Sequence, residues 1–110
     1  MPIYVNFHRK KRQTREAWIE DQIWLAMDLD PIAARKRLAH LAVNYDSGVA
    51  WYAYGCHLHR LKEFRLAADA FQGAITYGYD PNTARVALAI CQDQFDPRAA
   101  TQTRKYLDAP

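Results

Sequence analysis

Trp51, Tyr54, Gly55 and Leu58 stand at i, i+3, i+4 and i+7, so all four share one face of a helix. Ala67, Ala70, Phe71 and Ala74 form an answering face of small residues around one ring, and Gly55 lets the two helices approach closely. Neither stripe can leave water on its own, so the pattern predicts a helical hairpin. Punctuation along the chain extends this to six helices. Asp30-Pro31, Asp80-Pro81 and Asp96-Pro97 each place a capping carboxylate before a proline at the first helical position. Ser47 caps in the same way, and Gly78 stands where a left-handed helix stop is expected. The predicted helices cover residues 14 to 28, 31 to 45, 48 to 61, 64 to 77, 81 to 93 and 97 to 108.

The hairpin recurs. Shifting the chain by 33 residues brings Ala17, Trp18 and Leu25 onto Ala50, Trp51 and Leu58, and Ala34, Leu38 and Leu41 onto Ala67, Phe71 and Ala74. A weaker third copy aligns Ala84, Ala87, Cys91, Ala100 and Leu107 with Trp51, Tyr54, Leu58, Ala67 and Ala74, as in the degenerate end units of repeat proteins. The reading is therefore an arm over residues 1 to 13 and a repeat domain over residues 14 to 110, with units at about 15 to 47, 48 to 80 and 81 to 110.

The spacing of Trp51, Tyr54, Gly55, Leu58, Ala67 and Phe71, followed by Pro81, resembles the tetratricopeptide repeat, a two-helix unit of about 34 residues. The resemblance implies an all-α fold of three antiparallel hairpins stacked in a short right-handed superhelix. Two features depart from the family: Lys62 stands in the turn where Gly is frequent, and Gly78-Tyr79 lengthens the link before Asp80-Pro81. The small size, three units, and the stretches Lys62 to Asp69 and Asp96 to Asp108 are also similar to the chaperones of bacterial type III secretion. That would imply a protein holding a translocator or needle subunit before export.

In such repeats the first helix of each hairpin lines a concave groove that holds a protein or peptide. Mapped here, the lining is Glu16, Ile19, Glu20, Ile23 and Met27 in unit one and Val49, Tyr52, Ala53, Cys56, His59 and Arg60 in unit two. Unit three contributes Asn82, Arg85, Val86, Ala89 and Gln92. Ile19, Ile23, Ala53 and Val86 stand where a carboxylate clamp needs basic or amide side chains, so that mode is rejected. Apolar anchors suit a helical or extended segment instead. Ile19 and Ile23 have a second reading, as packing between neighbouring helices.

Composition sharpens the picture. At 110 residues and 50% hydrophobic, the chain is one domain with enough apolar side chain for a core. Cys56 and Cys91 are expected as reduced, buried thiols. Neither a leader nor a spanning segment is evident, which predicts a soluble, cytoplasmic protein. The net charge of +3 is concentrated in Arg9, Lys10, Lys11, Arg12 and Arg15, leaving ten cations against twelve acids elsewhere. This arm supports three readings: a solvated tail, a contact with an acidic protein, or a nucleic-acid contact. The last makes a nucleic-acid-associated protein the alternative function, although the acidic body argues against a duplex binder. Ile3-Tyr4-Val5-Asn6-Phe7 alternates weakly and favours extended structure that folds back or pairs with a partner.

Chemistry is sparse. His57 and His59 point to different helix faces, and Cys56 with His59 falls short of the three or four ligands zinc needs. There is no phosphate loop or nucleophile elbow. The expectation is a non-catalytic binding protein without metal or cofactor, with the apolar flank of its end unit suiting a homodimer or an obligate heterodimer. Trp51→Ala is expected to cost about 3–5 kcal/mol, read as a shift in the denaturation midpoint.

Overall fold

The structure, a computed structural model, describes residues 14 to 107. It contains six helices and, among the described residues, no strand: α1 (Arg15–Met27), α2 (Pro31–Tyr45), α3 (Gly48–Arg60), α4 (Phe64–Thr76), α5 (Pro81–Gln92) and α6 (Pro97–Leu107). Each end falls within one residue of its predicted position. Among the described residues no helix is long and apolar enough to cross a membrane.

The caps explain this agreement. The Asp30 carboxylate accepts the N–H groups of Ile32 and Ala33 at 3.1 Å, Ser47 Oγ accepts that of Ala50 at 3.2 Å, and Asp96 accepts that of Ala99 at 3.2 Å. Each carboxylate or hydroxyl satisfies a donor that the first turn leaves without a partner. Thr14 caps α1 in the same way, which the sequence reading did not anticipate. Gly78 takes the expected left-handed conformation with φ 88°, and Lys62 does so with φ 62°. For a lysine this conformation costs about 1–2 kcal/mol, so the turn between α3 and α4 is made under strain.

Consecutive helices pack on one another, and α1 also touches α3. The core has two parts. One gathers Ile19, Ile23, Ala26, Leu38, Leu41, Ala42 and Ala50; the other gathers Leu58, Ala67, Ala68, Ala70, Phe71, Leu88 and Cys91. Trp51 and Tyr54 pack against both and join them. Gly55 permits the tight α3–α4 hairpin, because a Cβ there would lie 2.7 Å from the Phe71 ring. The ring of Trp51 lies over Gly73 and stacks on Tyr77 at 6.5 Å between centroids.

Unit one departs from the repeat at this contact. Thirty-three residues before Gly55 stands Gln22, whose side chain accepts a hydrogen bond from Arg37 at 2.8 Å. With a long amide where unit two has bare backbone, α1 cannot settle on α2 in the same way. Its buried stripe moves one residue along the chain, to Ile19, Ile23 and Ala26, a turn of about 100° about the helix axis. Leu25 is consequently 60% exposed although its repeat mate Leu58 is fully buried.

Unit three closes with little apolar burial. Of α6 only Ala100 is buried, and the helix is held by Arg104 to the Asp93 carboxylate, Thr103 Oγ1 to Gln92 at 2.6 Å, and Arg85 over the Tyr106 ring at 5.5 Å. At the junction of units two and three, Gly48 faces the link that precedes α5. A Cβ at this position would lie 2.7 Å from the Tyr79 backbone nitrogen and 2.8 Å from the Tyr77 carbonyl oxygen. Since backbone atoms cannot swing aside, Gly48→Ala is expected to lower stability by about 1–3 kcal/mol in a urea titration.

Candidate functional site

Along α3, Val49, Tyr52, Ala53, Cys56, His59 and Arg60 follow the three-and-four spacing of a single face. Helices α1 and α5 rise on either side of it. Between α1 and α3 lies an open hollow of about 340 Å³ edged by Glu20, Ile23, Trp24, Met27, Val49, Tyr52 and Ala53. Between α3 and α5 lies a second, of about 260 Å³, edged by Cys56, His59, Arg60, Phe71, Ala87 and Ile90. The face of α3 from Val49 to Arg60, about 16 Å at the helical rise per residue, with these two hollows along it, is the furrow. Hollows of this size are at or below the range that buries a small-molecule ligand, and they suit single side chains of a larger one.

The furrow is apolar in the middle and charged at its ends. Met27 and Ile90, each 44% exposed, stand on opposite walls. Glu16 and Glu20 edge the hollow at the start of α1, beside Tyr45 and Gly48, whereas His59 and Arg60 lie at the far end of α3. Tyr52 holds the floor: its ring stacks on Tyr79 with centroids 4.3 Å apart and tilts against Phe71 at 5.4 Å. Burial, with Cys56 as neighbour, pushes the Tyr52 hydroxyl up to about 12. Burial also raises the Cys56 thiol, although its hydrogen bond with Tyr52 and the charge of Arg60 pull the other way. Cys91, fully enclosed, is pushed up to about 11 by burial and by Cys56. Both cysteines are free thiols that keep their protons at neutral pH, where a thiol is a poor nucleophile.

Several residues assigned to the groove from sequence lie elsewhere. Ile19 and Ile23, at 2% and 6% exposure, pack in the core, although Ile23 still edges the hollow between α1 and α3 and Ile19 the one at the start of α1. The rotation of α1 put them there. Arg85 and Gln92 turn to α6, onto the ring of Tyr106 and the hydroxyl of Thr103. Glu16, Glu20, Met27, Tyr52, Cys56, His59 and Arg60 do edge the hollows. Trp24 and Ile90 were missed. Trp24 comes to the rim through the same rotation of α1, for which Gln22 in the place of Gly55 was the available signal.

His57 is buried and its Nε2 lies 2.9 Å from the Pro31 carbonyl, a bond between α3 and the start of α2. Among the described residues no three His, Cys, Asp or Glu side chains converge to hold a metal ion. Of the basic arm, Arg15 alone is described. It opens α1, donates to the Tyr45 carbonyl and lies over the Tyr45 ring at 5.7 Å. Arg9, Lys10, Lys11 and Arg12 lie outside the described residues.

Because folding raises the Cys91 thiol from its ordinary 9.0 to about 11, the folded chain keeps a proton that the unfolded chain releases. That contribution is complete below pH 9 and is lost as the pH rises to about 11. Urea titrations across this window should show falling stability, and Cys91→Ala should flatten the decline. No protein-family model, curated protein or solved structure matches this chain.

Proposed function

We propose that the protein is a non-catalytic adaptor or chaperone of tetratricopeptide type, three hairpins in a short right-handed superhelix, holding a segment of a partner protein in the furrow floored by α3. One observation supports this reading: the half-buried α3 stripe is flanked by two hollows, one edged by exposed Met27 of α1 and the other by exposed Ile90 of α5. Exposed apolar side chains that line a shared hollow mark an interaction surface, whereas scattered ones do not. The charges at its ends favour one direction of binding. A cation of the guest meets Glu20, and an acid meets Arg60, so apolar anchors are bracketed by opposite charges. A type III secretion chaperone would be one such adaptor, with a secreted subunit as its guest.

Met27→Asp, Ile90→Asp and Arg60→Glu change exposed or rim side chains and leave the core intact. Affinity capture with mass spectrometry, run with the wild type beside each variant, should yield a partner lost from Met27→Asp and Ile90→Asp. Binding of that purified partner should weaken about tenfold or more for each apolar variant. Equal recovery by all four proteins would remove the furrow as the binding site. A guest peptide whose binding is strengthened by Arg60→Glu would reverse the proposed direction.

A further inference from the structure

Between α4, α5 and α6 lies a separate hollow of about 430 Å³, which shares no lining residue with the two of the furrow. Its size falls within the range of small-molecule sites. Among the described residues, Arg85 of α5 brings the only charge to its lining, and no acid stands there to neutralise it. The guanidinium lies over the ring of Tyr106 at 5.5 Å. Neither ion pair of the described residues, Arg35 with Glu63 and Arg104 with Asp93, includes it, and no hydrogen bond among those residues uses its N–H groups. A guanidinium held over an aromatic face keeps those donors, a planar fork that matches a carboxylate with two parallel bonds.

The remaining side chains divide by chemistry. Ile75 and Leu88 form an apolar wall from α4 and α5, while Gln72 and Gln102 bring amide donors from α4 and α6. Gln92 and Thr103 satisfy each other, the hydroxyl donating at 2.6 Å. Gln72 and Gln102 make no side-chain hydrogen bond among the described residues. The hollow therefore suits one negative charge joined to an apolar body. A bare inorganic anion would leave Ile75 and Leu88 wet, and a purely apolar molecule would leave the guanidinium unanswered.

We propose that this hollow is a binding site for an organic carboxylate with an apolar body, the carboxylate on Arg85 and the body against Ile75 and Leu88. A free small acid and the C-terminus of a polypeptide both present that chemistry. Bound there, the ligand touches all three helices. It adds a link to α6, a helix with Ala100 as its one buried residue, so mass action holds α6 in place as the acid accumulates.

Titrating the isotope-labelled full chain with phenylacetate, and following its backbone amides by nuclear magnetic resonance, tests the site. Phenylacetate should give saturable shifts at Ile75, Leu88 and Thr103 and slow hydrogen exchange in α6, whereas its neutral analogue phenylacetamide should do neither. Arg85→Gln should weaken phenylacetate binding about tenfold or more, the loss expected for charge-assisted hydrogen bonds. Should that variant loosen α6 on its own, Gln72→Glu makes the same test from α4. It sets a carboxylate in the hollow, leaves the contacts of α6 intact, and should weaken phenylacetate binding as well. Acetyl-glycyl-phenylalanine, with its carboxylate free, separates the two sources: tighter binding than phenylacetate supports a chain terminus, and weaker binding a free acid. No saturable shift at millimolar phenylacetate, or shifts confined to the α3 furrow, would overturn the proposal. So would equal binding of phenylacetamide, or an affinity indifferent to Arg85→Gln or to Gln72→Glu.

Discussion

How closely two helices can lie is decided here by one atom. At Gly55 the absent Cβ lets Phe71 come against the backbone of α3, and the middle hairpin closes tightly. Everything else is arranged around that hairpin: its two stripes bury Leu58 and Phe71, and Trp51 and Tyr54 carry the packing over into unit one. Where the repeat offers Gln22 instead, the same chemistry runs in reverse. Gln22 keeps its hydrogen bond with Arg37 at the part-buried edge between α1 and α2, and the stripe that α1 buries is Ile19, Ile23 and Ala26 instead.

This one difference decides which surfaces the protein shows. In the register of α3, Leu25 would have been core. Instead Ile19 and Ile23 fill the interior, with Ile23 still edging the hollow beside α3, and Trp24 and Leu25 come to the outside.

The helices were legible in the sequence because their ends are written in local chemistry. Asp-Pro pairs, Ser47 and Gly78 act within a few residues of themselves, and no distant contact overrides them. The rotation of α1 was not read, because alignment by size matched Leu25 with Leu58 and gave less weight to the polar residue three positions earlier. Arg85 and Gln92 were misplaced for a related reason: they sit on the third unit, where the pattern is weakest and α6 offers them an ion-ring contact and a hydroxyl. Trp24 and Ile90 lie just off the mapped positions, so a one-residue error in facing was enough to lose them.

The grip on α6 differs in kind from the rest. A bidentate ion pair between Arg104 and Asp93, a threonine hydroxyl and one alanine hold a helix whose predecessors are held by aromatic and aliphatic packing. Electrolyte screens the first of these and hardly touches apolar contacts, so ionic strength acts on one extremity of the molecule and spares its centre. Detachment of α6 would bare the flank of α5 that it covers.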